Sequence, residues 1–148
     1  MKRSILVLNG PNLDRLGSRE PTVYGSDSLA EILQRLTQLA SDLGVELETY
    51  QSNYEGALVE RLHQAADAGV AGVVVNAGGY THSSVALRDA FLAVRLPFVE
   101  VHLSNLASRE SFRQVSLLSD IAIGVVSGFG PESYELGLRG LVVRLPPG

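Results

Sequence analysis

The sequence predicts an α/β fold in which helices cover both faces of a parallel β-sheet. The first observation is a set of short runs rich in Val, Ile and Leu, most of them without polar alternation: Ile5–Leu8, Val45–Gln51, Val70–Val75, Phe98–Val101 and Ile121–Val126. Strands that are covered on both faces have this pattern. The second observation is that helical segments separate the runs, as parallel neighbours require. We therefore expect a five-stranded parallel sheet in a three-layer sandwich.

The helical segments between these runs can be placed from their spacing and end signals. Apolar residues from Leu29 to Leu43 recur at helical intervals, Ser28 and Glu31 form a capping box, and Gly44 suits the C-terminal end. Further helices are expected at about 55–68, from Ser83 or Ser84 to Val94, at about 109–116 and at about 132–141. Five strands with these crossovers favour the flavodoxin-like order 2-1-3-4-5. No linker or repeat interrupts the pattern, so residues 1–148 are expected to form a single domain.

Composition and charge narrow the class of protein. A formal net charge of -4 disfavours nucleic acid or an anionic membrane as the main partner, since both attract basic surfaces. The absence of cysteine excludes disulfides, thiolate metal ligands and a cysteine nucleophile. The N-terminal apolar run is too short for a signal peptide or a membrane span, so cytoplasmic residence is expected.

Polar residues cluster where the predicted strands end. In an open parallel sheet, ligands bind beyond the carboxyl ends of the strands. The segments at these ends are Asn9 to Asn12, Asn76 to Ser84, Glu100 to Asn105 and Ser127 to Gly130. Two of the three histidines, His82 and His102, fall on this edge, and core packing alone rarely produces such clustering. The sequence therefore predicts a binding or catalytic site there.

The two histidines differ in the chemistry that their neighbours favour. Glu100 precedes His102 by two residues, so both side chains leave the same face of a strand. A carboxylate there orients the imidazole and supports its protonated form, as a general acid requires. His82 lies in a glycine-rich turn before a helix start, where free N–H groups favour anions. His63, in the middle of a predicted helix, is interpreted as a solvated or packed residue.

The segment from Asn9 to Asp27 is a nineteen-residue connection where two to six residues would suffice. Such a loop is typical of a lid or a binding element. It contains Arg19 and Tyr24. Shifting a tyrosine pKa from about 10 to neutral pH takes about 4 kcal/mol, and one guanidinium at about 4 Å in an intermediate dielectric supplies roughly that much. Arg19 is therefore sufficient to activate Tyr24 as a base if the loop closes over the site.

Other chemistries lack their motifs. A Walker A loop, the G-x-G-x-x-G spacing of a dinucleotide fold, the G-x-S-x-G elbow and an H-x-x-E-H-like metal pattern are all absent. We therefore expect neither a metal nor a cofactor. A non-catalytic receiver or flavin-binding module is the alternative class. A receiver needs clustered acids after the first strand and a lysine after the fifth, whereas this chain has Asn9, Asn12 and Ser127-Gly128 there.

The polar segments also form one pattern along nearly the whole chain. Its parts are 8–13, 16–21, 23–25, 51–53, 55–56, 76, 78, 80–82, 84–90, 97, 99–105, 109–110, 112–113 and 124–130. In this order and spacing the chain resembles the type II 3-dehydroquinate dehydratase family. It departs from the family at Asp14 and Arg15 beside the lid, at Tyr54, and at Ala77 and Gly79 in the turn after the third strand.

The resemblance implies a flavodoxin-like fold and a lyase that converts 3-dehydroquinate to 3-dehydroshikimate by trans-dehydration in the shikimate pathway, through an enolate and without a cofactor. It implies catalytic roles for Tyr24 as base, Arg19 as the cation beside it, Asn12 as the ligand of an enolate-stabilising water and His102 as general acid. It implies that Asn76, His82 and Arg113 bind ring hydroxyls and that the backbone at Leu103 and Ser104 binds the carboxylate. Asp89 would reach a neighbouring subunit's site, in trimers that assemble into a dodecamer.

Overall fold

The computed structural model describes residues 2–18, 21–24 and 26–148, and for Pro21 and Tyr24 it describes the backbone alone. Five strands form one parallel sheet: β1 (Arg3–Asn9), β2 (Val45–Gln51), β3 (Gly72–Asn76), β4 (Phe98–His102) and β5 (Gly124–Ser127). Their order is β2-β1-β3-β4-β5, and every neighbouring pair is parallel. The predicted α/β class and the predicted strand order 2-1-3-4-5 are confirmed.

Among the described residues, five α-helices lie between and after the strands: α1 (Pro21–Tyr24), α2 (Leu29–Asp42), α3 (Glu55–Asp67), α4 (Val85–Val94) and α5 (Glu132–Arg144). The helices α2 and α5 pack on one face of the sheet, and α3 and α4 pack on the other. None of the helices in the described part of the chain is long and apolar enough to cross a membrane.

The interior strand β1 explains the three layers. Successive side chains of a strand point to opposite faces. Ile5 and Val7 accordingly join the core under α2 and α5, whereas Leu6 and Leu8 join the core under α3 and α4. All four are fully buried, so an apolar run without polar alternation is what this position requires.

Side-chain caps fix the starts of two helices where the sequence predicted them. At α2, the Glu31 N–H donates to Ser28 Oγ at 3.1 Å, and the Glu31 carboxylate accepts from the Ser28 N–H at 3.3 Å. At α4, the Leu87 N–H donates to Ser84 Oγ at 2.9 Å. Both caps satisfy N–H groups that have no partner within the helix.

The expected helix at about 109–116 is wrong. The structure has short 3₁₀ turns at Leu106–Ser108 and Ser111–Arg113 instead. The backbone that follows them bonds to other parts of the fold, since the Val115 carbonyl accepts from His82 and the Leu117 N–H donates to the Thr81 carbonyl at 2.8 Å. A continuous helix would remove these tertiary hydrogen bonds.

The fifth strand also differs from its expected range, 121–126. It begins at Gly124, because the N–H groups of Ile121 and Ala122 both donate to the Leu118 carbonyl in a turn. The long connection after β1 is not structureless either, since it contains a 3₁₀ turn at Leu13–Arg15 and the short helix α1.

Candidate active site

The carboxyl ends of β1 and β3 meet at one edge of the sheet. Asn9 and Asn76 end these strands and are paired in register. The Gly10 N–H donates to the Asn76 carbonyl at 2.8 Å, which ties the turn after β1 to the end of β3. A Cβ atom on Gly10 would lie 2.3 Å from the Ala77 carbonyl oxygen, so only glycine lets the two turns approach this closely.

A cleft opens at this edge, where the rule for ligand binding in open parallel sheets predicts one. Among its lining residues are six that the sequence indicated as site residues: Asn76, His82, His102, Leu103, Ser104 and Arg113. Leu13, Gly78, Gly79, Leu106 and Arg109 complete the lining. The fold thus brings together residues that lie far apart in the sequence, from Leu13 to Arg113.

His102 lies at the end of β4 and pairs with Glu100. Both side chains are buried, and His102 Nε2 contacts Glu100 Oε2 in a short hydrogen bond. The same-face argument from the sequence predicted this pairing. Nε2 is therefore held by the carboxylate, and Nδ1 is the ring nitrogen that can act on a ligand in the cleft.

Two serines hold the other oxygen of the Glu100 carboxylate. Ser116 Oγ donates to Glu100 Oε1 at 3.0 Å, and Ser119 Oγ donates to the same atom at 2.8 Å. Burial raises the pKa of Glu100, but the His102 contact and the two serine hydroxyls outweigh it and bring the pKa below its ordinary value. Glu100 is therefore an ionised carboxylate that is buried but fully hydrogen-bonded. Sequence reasoning missed Ser116 and Ser119, because nothing in their spacing relates them to β4.

His82 lies in a 3₁₀ turn at Gly78–His82 and lines the same cleft as His102. Its Nδ1 donates to the Val115 carbonyl at 2.8 Å. This bond fixes the ring and leaves Nε2 as the nitrogen that can accept a hydrogen bond from a ligand.

Two arginines, Arg109 and Arg113, line the cleft. Arg109 Nη1 donates to Ser104 Oγ at 2.9 Å. Glu110 lies between the two arginines, with its carboxylate oxygens 3.3 Å from Arg109 Nε and 3.2 Å from Arg113 Nε. Arg109 and Arg113 therefore bring hydrogen-bond donors to the lining of the cleft. Arg109 was not predicted as a site residue, although it lies in one of the segments that carry the family resemblance.

The backbone at Leu103 and Ser104 is oriented by the turn that follows β5. The His102 carbonyl accepts from the Gly128 N–H at 3.3 Å, and the Leu103 carbonyl accepts from the Gly130 N–H at 2.9 Å. In a trans peptide the N–H points away from the carbonyl. The N–H groups of Leu103 and Ser104 therefore point away from this turn, and both residues line the cleft.

Asn12 lies at the rim of the site in a left-handed conformation, with φ 67°. Its N–H donates to Asn53 Oδ1 at 3.0 Å. Asn53 also accepts from the Tyr80 hydroxyl through its carbonyl, at 2.7 Å. Asn12 itself is exposed, and its neighbour Leu13 is the residue that lines the cleft. Asn53 therefore anchors the turn, a role that sequence reasoning did not assign to it.

Besides Asn12, three expected site residues are not among the described residues that line the cleft. Arg19 and the side chain of Tyr24 lie outside the described residues. Asp89 is exposed on α4 and is not among the residues that line the cleft. Within the part of the chain that the structure describes, no three His, Asp or Glu side chains converge as a metal site would require.

The comparisons with known proteins agree with this architecture. The family model described as "Dehydroquinase class II" matches residues 3–142. A protein of Bordetella avium named "3-dehydroquinate dehydratase" is 59% identical over 139 residues, which cover 94% of this chain and 96% of that one. The crystal structure of the type II dehydroquinase from Propionibacterium acnes is 40% identical, with a TM-score of 0.91 and coverage of 97% of this chain and 98% of the other.

A more distant solved structure has the same fold. It is a 3-dehydroquinate dehydratase-like protein from Bifidobacterium longum, 30% identical with a TM-score of 0.70, and the match covers 95% of this chain and 96% of that one. The family match over nearly the whole length and the high identity to its named members establish the assignment. The chain belongs to the class II dehydroquinase family.

Proposed function

We propose that this chain removes water from 3-dehydroquinate to give 3-dehydroshikimate, a step of the shikimate pathway. The observation that carries the proposal is the buried Glu100–His102 pair at a cleft that also holds Asn76, His82 and Arg113. An imidazole paired with an ionised carboxylate suits a general acid, and family membership supports the substrate. The assignment of Tyr24 as the base rests on the sequence alone.

The reaction balances with groups that the chain supplies. The Tyr24 phenolate, stabilised by Arg19, takes a proton from C2, and the charge moves to the C3 oxygen as an enolate. A water held by Asn12 donates a hydrogen bond to that oxygen. The enolate electrons then form the C1–C2 double bond while the C1–oxygen bond breaks. His102 gives a proton to the departing hydroxyl, which leaves as water, and the proton on Tyr24 returns to His102 through solvent.

Each catalytic role is thus filled by a side chain or a water, and the proposal includes no metal and no cofactor. Substrate binding follows from the lining of the cleft. The N–H groups of Leu103 and Ser104, with the positive charge of Arg113 nearby, suit the substrate carboxylate. We propose that Asn76, His82 and Arg113 bind the ring hydroxyls.

We also propose that the active unit is an assembly of trimers in a dodecamer, each chain contributing one catalytic domain of residues 1–148. The exposure of Asp89 on α4, outside the cleft of its own chain, supports a role in the site of a neighbouring subunit. Residence in the cytoplasm stays a prediction from the sequence.

An ultraviolet assay with purified protein and 3-dehydroquinate tests the function, because the product has a carbon–carbon double bond conjugated to a ketone. We expect the absorbance to rise with the wild type and with Tyr50→Phe, which removes a tyrosine hydroxyl from β2. We expect Tyr24→Phe to lower kcat at least about 100-fold, the usual contribution of a general base, while calorimetry still detects substrate binding.

The outcomes separate the parts of the proposal. Turnover by Tyr24→Phe at the wild-type rate would remove Tyr24 as the base and leave the reaction intact. A folded wild type that gives no absorbance change would contradict the reaction itself.

A further inference from the structure

A chain of directed hydrogen bonds passes through Asn76, which lines the cleft, and ends at the buried Asn9. The Gly78 N–H donates to Asn76 Oδ1 at 3.2 Å, Asn76 Nδ2 donates to the Tyr134 hydroxyl oxygen at 3.0 Å, and the Tyr134 hydroxyl donates to Asn9 Oδ1 at 2.5 Å. Tyr134 lies on α5, 58 positions from Asn76 and 125 from Asn9. Its side chain is fully buried and belongs to the core under α2 and α5.

The direction of every hydrogen bond in this chain follows from its first donor, the Gly78 N–H. A backbone N–H can only donate, so the Asn76 atom that faces Gly78 is the amide oxygen. The Asn76 atom that faces Tyr134 is then the nitrogen, and the tyrosine oxygen accepts from it. The tyrosine proton is left for Asn9 Oδ1. Burial raises the pKa of Tyr134 above its ordinary value, which keeps that proton on the hydroxyl at working pH.

This arrangement decides what Asn76 offers to the cleft. An asparagine amide has two N–H donors on Nδ2, and Tyr134 uses one of them. The remaining N–H has a fixed direction, because both ends of the amide are held. We propose that Tyr134 is a positioning residue, which orients the Asn76 amide so that its second N–H donates to a hydroxyl oxygen of the bound substrate. This role rests on the function proposed above.

Steady-state kinetics of Tyr134→Phe test the role, since phenylalanine keeps the ring in the core and removes only the oxygen. Without the tyrosine oxygen, Asn76 Nδ2 loses its acceptor, and only the bond from the Gly78 N–H to Oδ1 still holds the amide. We expect KM for 3-dehydroquinate to rise about tenfold, the factor that corresponds to one lost hydrogen bond, with kcat changed by less than about threefold. Tyr50→Phe is the matched control and should keep the wild-type KM.

A double-mutant cycle with Asn76→Ala separates positioning from a merely structural effect. If Tyr134 acts through the Asn76 amide, Tyr134→Phe should add almost nothing to the KM of the Asn76→Ala variant. A loss of packing or stability would add the same factor in both backgrounds. An unchanged KM in Tyr134→Phe, or an equal rise with and without Asn76, would overturn the proposal.

If Tyr134→Phe does not fold, a second variant can still test the positioning role of Tyr134. Asn9→Ala removes the acceptor of the tyrosine proton and leaves the ring and hydroxyl of Tyr134 in place, so we expect a KM rise that also disappears in the Asn76→Ala background. A wild-type KM in Asn9→Ala would then overturn the role of Tyr134. Absence of turnover by the wild type would overturn the proposed function and this role together, whereas an active wild type with unaltered variants would overturn this role alone.

Discussion

The hydroxyl groups around Glu100 determine how a buried carboxylate persists beside the cleft. An ionised carboxylate that loses water is costly unless donors replace the water. Ser116 and Ser119 supply two donors to one oxygen, and His102 occupies the other. Ser116 Oγ is itself held by the N–H groups of Leu118 and Ser119, at 3.0 and 3.1 Å. Each of these residues therefore stabilises the charge that supports the imidazole.

We expect Ser119→Ala to lower the free energy of unfolding by about 1.5–3 kcal/mol at neutral pH, the usual effect of a hydrogen bond to a charged group. Urea denaturation measures this difference. The matched control is Ser108→Ala, which removes a hydroxyl that donates to the neutral Asn105 carbonyl at 2.9 Å on the surface. A cost for Ser119→Ala no larger than that of the control would contradict the interpretation.

The same two variants also test how the contribution of Glu100 to the free energy of unfolding depends on pH. The pKa of Glu100 in the folded protein lies below the ordinary value of 4.5, so its stabilisation is present above that value and is lost as the pH falls through the folded pKa. The difference in unfolding free energy between wild type and Ser119→Ala should therefore shrink as the pH falls below about 4.5. The difference for Ser108→Ala should stay constant over the same range.

At the scale of elements, the approach of α5 to the sheet depends on one of its two glycines. A Cβ atom on Gly137 would lie 2.5 Å from Val101 Cγ1 on β4, whereas a Cβ atom on Gly140 would meet nothing within 4 Å. Helix propensity favours alanine over glycine equally at both positions. Packing alone therefore distinguishes them, and α5 is also the helix that carries Tyr134 to Asn76.

We expect Gly137→Ala to lower the free energy of unfolding by about 1–3 kcal/mol through overpacking, and Gly140→Ala to raise it by up to about 1 kcal/mol. Thermal and urea denaturation of the two variants measure this contrast within one helix. Equal effects of the two substitutions would show that α5 does not lie against β4 as closely as described. Because Gly137 is close to Val101, its variant should also raise KM if α5 shifts and carries Tyr134 with it.

At the scale of the whole molecule, the role proposed for Asp89 would link assembly to activity. Asp89 is exposed on α4 and lies away from the cleft of its own chain. If Asp89 contributes to the site of a neighbouring subunit, replacing Asp89 should impair the activity of that neighbouring site. For the proposed dodecamer, we expect sedimentation of the active species to give the mass of twelve chains of 15.8 kDa each.

Subunit mixing tests this arrangement. We expect Asp89→Ala alone to raise KM and Tyr24→Phe alone to have almost no turnover. Co-assembled chains of the two variants should contain sites with an intact Tyr24 and a neighbour's intact Asp89, so part of the wild-type kcat/KM should return. A mixture that behaves as the sum of the separately assembled variants would contradict the shared site.

The local sequence pattern was sufficient to predict the order of the secondary-structure elements and most of the expected residues that line the cleft. Apolar runs such as Ile5–Leu8 and the caps at Ser28 and Ser84 depend on neighbours in sequence, so they predict strands and helix starts that the structure confirms. The parallel order of the strands then places their carboxyl ends on one edge. Asn76 and His102 could be assigned to the cleft for that reason.

Contacts between residues that are far apart in the sequence could be determined only from the tertiary structure. The segment 109–116 has helical composition, yet the Val115 carbonyl accepts from His82 and the Ser116 hydroxyl donates to Glu100. The Leu117 N–H that follows donates to the Thr81 carbonyl, so no helix is completed. The bond from Asn76 to Tyr134 joins residues 58 positions apart. Such bonds depend on how strands and helices pack and have no period along the chain. The sequence by itself therefore determined the strand order and most of the expected residues that line the cleft. Packing determined how those residues are oriented and which others, such as Arg109, join them.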